Sequence, residues 1–176
     1  MSADAWHLAV NHLPVVLSLL GAIAAVLAFV LGRRSVLLYA AATLIIAGAA
    51  SWPVLLTGHD AAEELKGRWY ANAAQIRVHH DTAENANLLA IGTALLALLC
   101  VWRTQRAPRE AKPSALLMGA LLLGSVSSAT AMGWASWQGQ YIVSRNPALI
   151  NSTLPTKATP ASDSAMQHDM GHVGHD

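Results

Sequence analysis

The feature that most limits what this chain can become is a set of four long apolar runs, at about 13–31, 36–56, 85–101 and 115–137. Each approaches or exceeds the ~20 residues that a helix needs to cross ~30 Å of hydrocarbon. Helices are the economical choice there, because lipid offers no partners to open backbone groups. The rest of the chain agrees: of 176 residues, 54% are hydrophobic and only 12% charged, against about a quarter charged in a soluble domain. The expected fold is therefore all-α: an integral membrane four-helix bundle over residues 1–143, then a flexible linker and tail over 144–176. In the fourth run Gly119, Gly124, Ser125, Ser127, Ser128 and Gly133 point to close helix packing. No Lys or Arg precedes the first run, which ends at Gly32-Arg33-Arg34 without a small-residue cleavage site; it reads as a retained anchor, not a signal peptide. The single cysteine, Cys100, lies inside an apolar run and reads as a small buried or lipid-facing residue.

Charge sets the expected orientation. The first short loop carries Arg33 and Arg34, and the third carries Arg103, Arg106, Arg109 and Lys112 against Glu110. Basic residues in short loops favour the cytoplasmic side. Both termini and the 57–81 loop then face the periplasm, as in an inner-membrane protein. Trp6, Trp52, Trp69, Tyr70, Trp134, Trp137 and Tyr141 fall near that outer interface, where aromatic rings prefer to sit. A net charge of +1 and the lack of a basic stripe give no footprint for nucleic acid.

All eight histidines fall on the same expected side. His7 and His12 precede or open helix 1, His59 follows helix 2, His79 and His80 open helix 3, and His168, His172 and His175 lie in the tail. His7 and His12 are ~140° apart on an ideal helix, so they reach one point only if the helix starts between them. Pro14 tolerates a first-turn position, which puts Asn11 or His12 near the N-cap and His12 at the bundle rim. Residues 59–63 read His-Asp-Ala-Ala-Glu and residues 80–84 read His-Asp-Thr-Ala-Glu. On a helix this spacing sets His59 over Glu63 and His80 over Glu84, a pairing that can fix an imidazole tautomer beside a metal. Ordinary helix starts also place acids in the first turn. The tail offers Met166, His168, Met170, His172 and His175. Thioether suits Cu(I), and imidazole suits Cu(II), zinc or nickel.

His7-x4-His12-Leu13-Pro14-Val15 resembles the opening His-Pro-x-x-x-His-Phe-Pro-Ile of a bacterial membrane family catalogued as domain of unknown function 2231. Thr57-Gly58, a histidine opening helix 3 (His79 or His80) and Gly139-Gln-Tyr-Ile-Val143 are also similar to that family. The likeness covers roughly residues 6–143. Leu8 stands where the family has its first proline, Leu13 where it has an aromatic and Gln140 where it has a glycine, and the Met/His tail lies outside the pattern. The resemblance implies a four-helix membrane module often found beside redox domains, and no particular reaction.

Three functions fit these residues. The first is a haem b protein that transfers electrons, with axial imidazoles from two helices. His12 and either His79 or His80 would be the ligands, at one depth, with Arg68 and Arg77 pairing the propionates. The second is a copper-handling protein: the tail captures the ion, and a rim cluster of His12, His59, His80, Glu63 and Glu84 holds it. The third is a structural subunit of a larger membrane complex. The expected partners are the bilayer and either a redox protein or such a complex. No nucleophile motif, phosphate loop or dinucleotide fingerprint is present, so an enzyme is not expected.

Overall fold

The computed structural model describes residues 11–65, 73–109 and 111–145. They form four helices: α1 His12–Leu31, α2 Arg34–Leu65, α3 Ala73–Arg106 and α4 Ala115–Arg145. No strand occurs among the described residues. Every helix is long and apolar enough to cross a membrane. Each packs on its neighbours in sequence, and α1 closes the ring against α4, as in an up-down-up-down bundle.

The helices are apolar all round, so hydrophobic patterning cannot say which face turns inward; side-chain size does. Ala40, Ala41 and Ala97 are fully buried, while Leu116 is 82% exposed and Val30 73%. Burying large apolar groups gains nothing when the surroundings are lipid, so close backbone approach governs the packing. Gly48 shows this at the α2–α3 contact. A Cβ there would overlap the Ala94 methyl and stand 3.0 Å from the Ala90 carbonyl oxygen. Between α3 and α4 the Thr93 hydroxyl donates to the Gly124 carbonyl at 3.2 Å as well as to Leu89 O at 2.8 Å. Gly21 lies against Leu44. These pairs fix the register of the antiparallel helices.

The α1–α2 turn is short because Gly32 adopts φ 60°, ψ 21°, the left-handed conformation, and donates its N–H to Ala28 O at 2.9 Å. That geometry suits glycine at a helix C-terminus. At this end of the bundle Arg34 Nη1 donates to Ala107 O and Pro108 O, both at 3.3 Å. One guanidinium thus binds carbonyls where α3 gives way to the third loop. The Arg106 guanidinium sits 4.6 Å from the Trp102 ring centroid. This is called the basic end below, and the opposite one the histidine end.

Several boundaries differ from the sequence expectation. α2 continues through Pro53 to Leu65, and α3 begins at Ala73, well before the apolar run at 85. Hydropathy marks where lipid ends, not where a helix ends. At 34 residues, α3 is ~51 Å long against ~30 Å of hydrocarbon. The Asp60–Leu65 stretch is rich in good helix formers. His59 is therefore on α2 and not in a loop after it, and His79 and His80 lie in the second turn of α3. α4 also outlasts its apolar run, reaching Arg145.

Candidate metal centre

Helix phase decides which histidines meet. On α1 the inward positions are Pro14, Ser18, Gly21, Ala22, Ala24, Ala25 and Ala28. His12 is out of phase with them and exposed, on the same side as Val16, Leu19 and Ile23. Asn11 is in phase, and its Oδ1 is buried. Asn11 does stand at the N-cap, as expected, but has helical φ −65° and makes no capping bond with its side chain.

Register separates His12 from the other two histidines along the bundle axis. Counting from the Gly21–Leu44 contact, His12 lies ~13 Å outward and His59 ~22 Å, at 1.5 Å per residue. By this count His12 stands about 9 Å short of the level of His59. His12 and the α3 histidines thus differ in phase and, by helix rise, in level.

The pair that does meet is His59 of α2 and His80 of α3, with ring centroids 5.8 Å apart and planes tilted by 49°. Two imidazoles sharing one ion through N–metal bonds of ~2.0 Å hold their centroids ~5–6.5 Å apart. The His-Asp echo explains the meeting in part: its two copies lie on antiparallel segments, with their first residues abreast. The same antiparallel course carries the glutamates apart. Glu63 lies ~6 Å outward of the pair and Glu84 ~6 Å inward, four residues each way, and both are exposed. The five-residue rim cluster is thus not assembled; among the described residues no group of three His, Cys, Asp or Glu could hold a metal ion. Arg77 is exposed on α3. Arg68, His7 and the tail residues Met166, His168, Met170, His172 and His175 lie outside the described residues, as do Trp6, Trp69 and Tyr70.

His79, one position earlier, turns to α4 instead. Its ring packs on the backbone at Gly139, where an added Cβ would stand 3.1 Å from His79 Cε1. Gly139 was noticed in the sequence as part of a motif; its partner was not visible there. Gly139→Val should displace the imidazole. Imidazole ¹⁵N resonances of His79 should then shift while those of His59 stay; unmoved His79 signals would contradict the packing.

Below the histidines lies a polar layer that the sequence did not announce. Asn11 Oδ1, Asn87 Oδ1 and Ser128 Oγ are buried acceptors without a protein donor. By helix rise they fall within about one turn of a common level. Asn87 spends its amide on Ala83 O at 2.8 Å. A buried acceptor left unmade costs about 1–3 kcal/mol. Around the rim, Trp134, Trp137 and Tyr141 stack along the exposed side of α4, at 5.0 and 5.8 Å between successive centroids.

Comparison with family models, with curated proteins and with solved structures gives no match.

Proposed function

We propose that this chain is a membrane-embedded protein that handles a transition-metal ion, copper first, at its histidine end. His59 and His80 supply two imidazole ligands. The observation that carries this reading is the 5.8 Å separation of those rings on neighbouring helices. Two protein ligands leave coordination positions open, as an ion that arrives and departs requires, whereas a closed structural site takes four. Copper is favoured over zinc by the Met166-x-His168-x-Met170-x-His172 sequence of the tail, since thioether is a soft ligand. A linker of ~20 residues spans about 25 Å as a coil, enough to bring an ion from tail to rim.

Orientation belongs to the same proposal. Arg33, Arg34, Arg103, Arg106, Arg109 and Lys112 support a cytoplasmic basic end by the positive-inside tendency. The histidine end then faces the periplasm. The exposed rings of Trp52, Trp134 and Trp137 suit the outer interface.

The test is an absorption spectrum of the protein purified in mild detergent, oxidised and then reduced with dithionite, with total metal measured on the same sample. Stoichiometric copper without a Soret band is expected. A Soret band with stoichiometric iron would overturn the ion reading in favour of haem. No metal after loading with Cu(I) or Cu(II) would overturn it in favour of a structural subunit.

A further inference from the structure

The basic end holds a cleft of about 360 Å³ between the start of α2, the end of α3 and the start of α4. Three cations line it, each from a different segment: Arg34, Arg103 and Lys112. Among the described residues none of its lining groups is an acid; Glu110, in the same loop, lies outside them. Ser114 also lines the cleft beside the first turn of α4, which carries no acidic residue, so its free N–H groups add positive potential. The other wall is apolar. Leu99 and Leu116 line the cleft and are themselves exposed, on helices that continue into the membrane-crossing spans.

Cations at a span end beside an exposed leucine wall match a molecule with an anionic head and apolar chains. We propose that this cleft binds the headgroup of an anionic phospholipid. The phosphate sits among Arg34, Arg103 and Lys112, and an acyl chain runs along Leu99 and Leu116. Arg34 holds its place because Nη1 is fixed on Ala107 O and Pro108 O, which leaves the rest of its guanidinium fork for phosphate. Basic pockets between transmembrane helices are a recurring way to recognise such lipids. The inference rests on the four helices crossing a bilayer, and does not depend on the histidine end.

The full chain, extracted in detergent, is titrated with phosphatidylglycerol in mixed micelles. Parallel titrations use phosphatidylcholine and inorganic phosphate. Failure of alkaline carbonate to release the chain from membranes checks the bilayer reading separately. Saturable binding of phosphatidylglycerol alone is expected. The double variant Arg103→Ala, Lys112→Ala should bind about 30-fold more weakly, at roughly a factor of five for each cation near the membrane surface. The double variant Arg103→Lys, Lys112→Arg should retain most of the affinity. Equal binding of phosphatidylcholine, or wild-type affinity in the alanine pair, would overturn the proposal. So would equal occupancy by inorganic phosphate, which would make the cleft a free-anion site.

Discussion

On the proposed copper reading, His80→Ala and, separately, His59→Ala are each expected to remove the ion, while His12→Ala keeps it. The expected loss is more than ~100-fold in affinity for either ligand variant, beyond the ~10–100-fold that removal of an outer partner costs. The argument is one of coordination number. His59 and His80 face each other at 5.8 Å, and no third His, Cys, Asp or Glu joins them among the described residues. A pair has no redundancy, so losing one imidazole leaves a single ligand and the site fails. His12 is exposed among Val16 and Leu19 and lies ~9 Å nearer the bundle centre by helix rise. Equilibrium dialysis with a competing chelator reads the affinity, and the melting temperature of each variant shows that the bundle is intact. Wild-type affinity in both His59→Ala and His80→Ala would sink the assignment. Loss in both His12→Ala and His80→Ala, with His59→Ala unaffected, would restore the His12–His80 pairing expected from the sequence.

Gly48→Leu prevents stable assembly of the bundle, whereas Gly92→Leu is tolerated. Both glycines lie in the middle of apolar helices and are indistinguishable by composition. At Gly48 the first added atom already overlaps the Ala94 methyl and crowds the Ala90 carbonyl, which is backbone and cannot step aside. At Gly92 nothing lies within 4 Å, and the added side chain enters the surroundings of the helix. Overpacking an interior commonly costs about 1–3 kcal/mol and sometimes more. Leucine at position 48 should reach at least ~3 kcal/mol, because α2 and α3 must separate along a contact that also carries His59 to His80. Melting in detergent, followed by helical circular dichroism, compares the two. Equal melting temperatures would show that α2 and α3 do not approach at this level. Loss of metal in Gly48→Leu would follow as a secondary effect of the displaced helices.

Much of the fold was legible because it follows from solvent. Long apolar runs admit only helices in hydrocarbon, and four such runs give four helices long enough to cross a membrane. Two helix ends were misplaced for a physical reason. The ends of α2 and α3 were set where hydropathy falls, yet Asp60–Leu65 and Ala73–Glu84 remain helical because hydrogen bonding within a helix does not require lipid. The sequence sets His12 at the bundle rim, and there Asn11 takes the inward direction and leaves His12 exposed. Periodicity could not have separated them. In a helix that is apolar all round, the inward stripe is marked by small residues, here Ser18, Gly21, Ala22, Ala25 and Ala28. Tracing that stripe back one turn reaches Asn11 and Pro14. That signal was present in the sequence and is one of size, not hydropathy.

The sequence by itself determined that the chain forms four helices able to cross a membrane, and put Arg33, Arg34, Arg103, Arg106, Arg109 and Lys112 at the end away from His59, His79 and His80. These follow from local composition, since each helix satisfies its own backbone and each loop its own charge. Only the tertiary structure decided which histidines face one another, which glycines touch a neighbouring helix, and that Arg34, Arg103 and Lys112 share one cleft. Those depend on the rotation and register of one helix against the next, set by the fit of small side chains between backbones, and no single run of residues encodes both sides of that fit.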